Sequence, residues 1–262
     1  MMGADYLRAG CIDGLADAFA EAEPFSHVVI DDFFRRDVAL ELESEFPAPD
    51  DQCWHRYNNA LEQKRSCNNW NAFPSLTYST FNFLNSHEFV ERLSAALNVA
   101  DLFSDPGLNG GGWHAHGPGG KLNPHLDYSS HPKTGMRRRI NLIVYLNSGW
   151  MPRWGGHLGL WTQEAGAVAP GNLVKTIDPV FNRAVIFDTT QDSWHGLSSP
   201  IECPAGEARR SLATYYLDQA KADPRSKALF APTPDQKEDP AIAELIRTRA
   251  HSARAHEVYL AR

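Results

Sequence analysis

The chain of 262 residues holds only four cysteines, Cys11, Cys53, Cys67 and Cys203, and no two of them form a CxxC pair. That scatter argues against a structural zinc knuckle and fits four reduced thiols in a reducing compartment. No apolar stretch approaches the length needed to cross a bilayer. The segment Met1 to Arg8 lacks a basic stretch followed by an apolar run, so no secretory signal is expected and a cytoplasmic location follows. An excess of basic charge is also missing: 25 Lys and Arg face 32 Asp and Glu, a net charge of −7 that disfavours a nonspecific nucleic-acid surface. No GxSxG, no GxGxxG after a strand and no P-loop occur, which removes support for a serine hydrolase or a nucleotide-binding fold. No internal repeat is present.

What remains is an ordinary globular composition, 42% hydrophobic and 22% charged, long enough to bury one sizeable core. A single domain spanning 1–262 is expected. Ile12, Leu15, Ala16 and Phe19 recur at helical spacing and predict an amphipathic helix over 11–22. Val38, Leu42 and Phe46 predict a second helix closed by Pro47, and Val90, Leu93 and Leu97 a third over 87–99 with Ser86 as its cap. Residues 50–75, rich in Asn and aromatics, read as a long polar connection, either a surface loop or a substrate lid, so that 1–107 supplies helical support. From about 108 to 218 short apolar runs alternate with Gly, Pro, Asn and Asp turns, as strands of a sheet core do. After a polar segment, Asp239-Pro240 opens a C-terminal helix within 219–262, either structural or a homodimer contact.

One constellation stands out in the strand-rich part. In His125-Leu126-Asp127, residues i and i+2 of a strand point the same way, so an imidazole and a carboxylate can grip one ion while Leu126 faces away. A third ligand is available at His195, beyond the apolar run Asn182 to Asp188. Two imidazoles and one carboxylate on one face of a metal leave positions open, the arrangement of non-haem Fe(II) oxygenases. Alone, an HxD among 11 histidines is weak, and His114 and His116 also stand at i, i+2 spacing, though with no adjacent acid; His116 is read as pocket-lining. Downstream, Arg209 and Ser211 share one strand face and Arg210 takes the other. An inward guanidinium needs an anionic partner, and its planar fork matches a carboxylate, with the Ser211 hydroxyl able to add a hydrogen bond. The order HxD…H…RxS therefore asks for iron and a small dicarboxylate.

These residues resemble the 2-oxoglutarate/Fe(II)-dependent dioxygenase superfamily, in particular its prolyl-4-hydroxylase-like branch. The resemblance covers most of residues 24–218. It includes the opening Pro24 to Phe34, the approach Gly119-Gly120-Lys121-Leu122-Asn123-Pro124 to the first ligand, the strand ending Tyr145-Leu146-Asn147, and Gly155-Gly156 followed by Leu158-Gly159-Leu160-Trp161. His157 stands where relatives often have Glu. The resemblance implies an α+β protein with a double-stranded β-helix core, jelly-roll or cupin-like, flanked by N-terminal helices and a C-terminal helix. It implies that His125, Asp127 and His195 bind Fe(II), and that Arg209 and Ser211 hold the distal carboxylate of 2-oxoglutarate. Tyr145 and, less directly, Asn141 join that clamp, and Leu158 lines its pocket. The implied reaction consumes O2, hydroxylates an unactivated C–H bond and releases succinate and CO2, with ascorbate as an optional reductant. The branch acts on prolyl residues, free amino acids and other small metabolites, so a small-molecule or peptide substrate is expected and neither nucleic acid nor membrane.

Two other classes compete. A noncatalytic cupin-like binding or sensing module could keep the three ligands, and so could a metal hydrolase; neither accounts for Arg209 and Ser211. Arg137-Arg138-Arg139 reads either as a solvated strand entrance or as a site that steers an anionic substrate. His131 could touch substrate or sit in a surface loop, and Trp150, Trp154, Trp161 and Trp194 are expected in barrel packing.

Overall fold

The computed structural model describes residues 6–221 and 227–251. Its strands are β1 (His27–Ile30), β2 (His55–Asn58), β3 (Glu62–Cys67), β4 (Phe103–Ser104), β5 (Gly112–His116), β6 (Lys121–Leu122), β7 (His125–Leu126), β8 (Arg137–Tyr145), β9 (Leu158–Gln163), β10 (Pro170–Ile177), β11 (Ala184–Asp188), β12 (Trp194–Leu197), β13 (Arg209–Asp218) and β14 (Leu229–Phe230). The helices are α1 (Ala16–Ala20), α2 (Arg36–Ser44), α3 (Ser75–Leu84), α4 (His87–Leu97) and α5 (Pro240–Ala250).

All pairings between these strands are antiparallel. The larger sheet runs β1-β11-β8-β13-β5-β3-β2, with β4 on β13 and β6 on β3; the smaller runs β10-β9-β12-β7-β14. This is a double-stranded β-helix with helices outside it. The period-two rule explains its layers. On β8, Ile140, Leu142 and Val144 join the core that Phe81, Leu84, Phe89 and Leu93 of the helices fill. Tyr145 and Ile143, one residue out of phase, turn to the other face and pack with Leu158, Leu160, Val185 and Phe187 between the sheets. A fully buried Leu or Phe contributes about 1.5–3 kcal/mol, so this two-sided burial fixes the register of β8. A slip by one residue would exchange the faces.

The helix over 87–99 is α4, and Ser86 caps it as the sequence predicts, its Oγ accepting from Phe89 N at 3.2 Å. Asp239 likewise accepts from Ala241 N at 2.8 Å and opens α5. Over 11–22 the expected helix shrinks to Ala16–Ala20. Gly10 and Gly14, at φ 71° and 64°, turn the preceding backbone out of helical geometry, although Ile12 and Phe19 are buried as expected. Residues 50–75 are not one loop: β2 and β3 form a hairpin, and β3 continues the large sheet through β5. Helix α3, absent from the sequence reading, follows that segment and buries Thr77, Thr80, Phe81 and Leu84. No helix among the described residues is long and apolar enough to cross a membrane.

Candidate metal centre and dicarboxylate pocket

A cavity of about 320 Å³ opens between the two sheets. His125 and His195 meet on its wall because β7 and β12 pair at that one position. The His125 Nε2 lies 3.7 Å from Asp127 Oδ1, and His195 Nε2 lies 3.8 Å from Asp127 Oδ2. Among the described residues these three form a group whose ligand atoms lie within 4.8 Å of one another. Each imidazole is held through its other nitrogen: Nδ1 of His125 donates to Asn123 O at 3.0 Å, and Nδ1 of His195 to Ser193 O at 2.9 Å. That tautomer turns both Nε2 lone pairs into the cavity, as metal-binding histidines require. Phe230 stacks on the His125 ring and Phe187 packs on that of His195. Leu126 turns away into a cluster with Trp194 and Ala231.

The electrostatics suit a cation. Burial by itself would raise the Asp127 carboxyl, but the two imidazoles, the Arg138 guanidinium and the Tyr215 hydroxyl pull it down to about 2. Burial, then the neighbouring His195, bring His125 down to about 3 against the opposing pull of Asp127. A carboxylate and neutral imidazoles are the forms that ligate. The donor set fits a divalent iron with open positions.

Beyond these ligands, Arg209 and Ser211 line the same cavity from β13. Arg210 points the other way, over the Phe46 ring at 6.0 Å. Arg209 is 4% exposed, its Nη2 donates to Tyr145 Oη at 3.0 Å, and its Nε has no partner. No carboxylate among the described residues lies within ion-pairing reach of it, so the guanidinium is a buried charge that fits an incoming anion. Asn147 brackets this residue by donating to Ala208 O at 2.7 Å and accepting from Arg210 N at 2.6 Å. A Cβ on Gly156 would come within 2.9 Å of Arg209 Cδ, which gives the second glycine of Gly155-Gly156 a spatial reason.

The remaining sequence-selected residues divide. Asn141, Leu158 and His116 line the cavity, and Asn141 Oδ1 and both ring nitrogens of His116 are buried without a partner. Tyr145 is not in the wall itself and reaches the site through Arg209. His114 lines the cavity but stands outside the ligand cluster. His131 is neither a surface-loop residue nor a cavity residue: it is 4% exposed and its Nε2 lies 3.2 Å from Asp105 Oδ1 and 2.7 Å from Asn109 Nδ2. His157 Nδ1 pairs with Asp178 at 2.7 Å, outside the cavity lining. None of Trp150, Trp154, Trp161 and Trp194 lines the cavity.

Several wall residues escaped the sequence reading. Tyr215 donates to Asp127 Oδ2 at 2.9 Å; its place on the Arg209, Ser211, Ala213 face of β13 was the available signal. Glu62, fully buried, pairs with Lys64 at 3.2 Å and with Arg249 of α5, so the C-terminal helix is tied to the cavity mouth. Only the long-range pairing of β3, β5 and α5 brings these groups together.

Residues 111–217 match the family model described as the 2OG-Fe(II) oxygenase superfamily. The fold is similar to that of a Pseudomonas putida prolyl-4-hydroxylase, with a TM-score of 0.54 and 16% identity over 80% of this chain and 98% of that one. It is also similar to that of a prolyl 4-hydroxylase from Phytophthora capsici, with a TM-score of 0.53 and 21% identity over 96% of this chain and 81% of that one. No curated protein sequence matches the chain.

Proposed function

We propose that the chain, whose residues 111–217 match the 2OG-Fe(II) oxygenase family model, hydroxylates an unactivated C–H bond of an amino acid, a prolyl residue or another small metabolite, turning 2-oxoglutarate and O2 into succinate and CO2. The observation that carries this reading is the pairing of His125, Asp127 and His195 with a buried Arg209 in the same cavity that has no carboxylate within ion-pairing reach among the described residues. A metal hydrolase or a binding module built on the same ligands would leave that guanidinium without purpose.

In this reading His125, Asp127 and His195 hold Fe(II), which when bound supplies the O2 activation that side chains cannot. Arg209 takes the distal carboxylate of 2-oxoglutarate. The Tyr145 hydroxyl accepts from Arg209 and keeps its own hydrogen free to donate to the same carboxylate. Ser211 lies on the same strand face as Arg209 and can add a second hydroxyl. Tyr215 holds Asp127 in place through its Oδ2. Leu158, Ile143 and Phe230 give the cavity apolar walls that limit water around the reacting carbon. Ascorbate would serve as the reductant that keeps iron ferrous between turnovers.

Anaerobic titration of the Fe(II)-loaded protein with 2-oxoglutarate tests this directly. A metal-to-ligand charge-transfer band that saturates is expected, followed by succinate release on admitting O2. Iron binding without any such band would overturn the oxygenase reading.

A further inference from the structure

We propose that Arg138 is the anchor for a carboxylate on the substrate, and that the substrate is therefore a small free carboxylic acid, such as an amino or hydroxy acid, and not an internal residue of a peptide; this rests on the oxygenase reading above. Arg138 is the second residue of β8, within the run Arg137-Arg138-Arg139, and the structure separates the three. Arg137 pairs with Asp218 and Arg139 with Asp188, the latter at 3.0 Å. Arg138 is 1% exposed and has no carboxylate within ion-pairing distance among the described residues. It is thus a buried arginine, neither a solvated strand entrance nor part of a structural ion pair.

A β-bulge puts it there. Tyr216 opposes Ile140 but Leu217 opposes Arg138, so Arg139 is the extra residue on β8. Without that insertion Arg138 would continue the buried Ile140, Leu142, Val144 face against the helices. With it, the guanidinium turns to the cavity, whose wall it shares with Asn141, Tyr128 and Tyr215. Bulges commonly re-aim a side chain beside an active site.

The guanidinium is clamped between two rings, with Cζ 3.6 Å from the Tyr128 centroid and 3.7 Å from that of Tyr215. Its Nη2 donates to Asn109 O and Tyr128 Oη. Both Nε and Nη1 are buried with no hydrogen-bond partner. A Cβ on Gly110 would lie 2.9 Å from Nη2 and 3.2 Å from Nη1, so only glycine leaves the fork clear. Orienting a buried arginine this firmly while leaving N–H donors unused is costly unless an anion completes the site.

Charge balance points the same way. Lys64 and Arg249 both pair with Glu62, two cations to one carboxylate, Lys227 in the lining is exposed, and Asp127 stands among the metal ligands. A dicarboxylate co-substrate uses one carboxylate at the metal and one at Arg209. Of the two buried guanidinium groups in the lining without a carboxylate, Arg138 is the one left over, at the Tyr215 end of β13. The cavity, about 320 Å³ in all, must also hold the co-substrate, which favours a compact second ligand.

The test uses the full chain loaded with Zn(II) and saturated with N-oxalylglycine, which fills the 2-oxoglutarate position, so that a second carboxylate must bind elsewhere. The probes are the standard free L-amino acids with 2-hydroxy acids of matching side chains, their amides, and Pro-containing peptides capped as N-acetyl C-terminal amides, read by saturation-transfer NMR and calorimetry. At least one free acid should bind and its amide should not. Arg138→Gln should weaken that acid by about 30-fold or more, the loss expected when a buried charge pair is broken, with N-oxalylglycine still bound and no matching loss of Zn(II) affinity. Arg138→Lys should fall between the two, and decides the matter if the Gln variant does not fold. The proposal is overturned if no free acid binds, if only capped peptides bind, if acid and amide bind alike, or if acid affinity is unmoved in the variants. A parallel loss of Zn(II) affinity in Arg138→Gln also overturns it, since Arg138 would then act only by positioning Tyr215 and Asp127. Failure of N-oxalylglycine to bind the metal-loaded wild type would instead overturn the oxygenase reading itself.

Discussion

Arg209 and Tyr145 form one unit: Nη2 donates to the tyrosine hydroxyl at 3.0 Å while the guanidinium carbon stands 4.6 Å from the ring centroid. Burial raises the Tyr145 phenol against the opposing pull of Arg209, so the hydroxyl keeps its proton at neutral pH. That proton is the one Tyr145 can offer to a carboxylate.

Removing it should therefore weaken 2-oxoglutarate and little else. For Tyr145→Phe the expected loss is on the order of tenfold, the worth of a charge-assisted hydrogen bond, read as the 2-oxoglutarate concentration that half-saturates the charge-transfer band. Arg209→Ala should cost about 30-fold or more, whereas Arg210→Ala, whose side chain lies over Phe46 on the opposite face, should leave the titration unchanged. Equal effects from Arg209 and Arg210 would mean the wrong strand face has been assigned to the clamp.

Iron affinity should depend on the three ligands and also on Tyr215, which touches only Asp127 among them. His125→Ala, Asp127→Ala and His195→Ala should each abolish stoichiometric Fe(II) binding without unfolding the protein, because each removes one of three ligands. Tyr215→Phe should weaken it by about tenfold to a hundredfold, since the hydroxyl that orients Asp127 Oδ2 is lost. Competition titration with a chelator of known affinity checks both. An unchanged constant in Tyr215→Phe would show that Asp127 is held by other contacts.

The second glycine of Gly155-Gly156 should prove specific to the clamp. Gly156→Ala brings a Cβ within 2.9 Å of Arg209 Cδ at a backbone φ of 76°. Strain of this kind costs on the order of 1–3 kcal/mol, and relief by shifting Arg209 should raise the 2-oxoglutarate requirement with Fe(II) affinity retained. A variant that lost iron and 2-oxoglutarate together would instead have moved β12 or β7.

The parts of this site legible in the sequence share a cause. His125 with Asp127, and Arg209 with Ser211, each lie within one strand, where the period of two fixes which side chains share a face whatever the rest of the chain does. Ser86 and Asp239 were equally readable because a helix cap is a local hydrogen bond. What escaped depends on pairing across distance. Glu62, Lys64 and Arg249 meet only because β3 joins β5 and α5 folds back, and Arg138 reaches the cavity only through a bulge that strict alternation hides. The hairpin of β2 and β3 was missed because its residues, His55-Arg56-Tyr57-Asn58 and Glu62 to Cys67, are too polar to announce a strand. Helix α3 had a visible stripe in Thr77, Phe81 and Leu84, obscured by the aromatic run before it.

Acid should destabilise the metal-free protein well above the range where carboxylates titrate. His114 and His116 project from β5 into the cavity beside Arg209 and Lys64. Burial first, then Lys64 and Arg209, bring His114 down to about 3 against the weaker opposing influence of Asp127 and the Gly110 backbone. Burial and Arg209, then Lys64, His114 and Arg65, hold His116 well below the ordinary imidazole range. In the unfolded chain both titrate near 6.5. Between that value and the folded one the unfolded state binds more protons, so stability is full above about pH 6.5 and falls as the pH drops toward 3. At pH 5 keeping the His114 imidazole neutral costs roughly 2 kcal/mol, and His116 adds a loss of the same sign. Asp127, held at about 2, adds its own loss only below the unfolded carboxyl value near 3.8, outside this window. His27 and His125 are also lowered, so the decisive comparison is differential. Urea unfolding of wild type and His116→Gln at pH 7.5 and pH 5 should show a smaller drop in midpoint for the variant, which has one fewer imidazole to keep neutral. Parallel drops would place the His116 proton equilibrium outside the folding balance and its ring in a more solvated setting than the cavity wall provides.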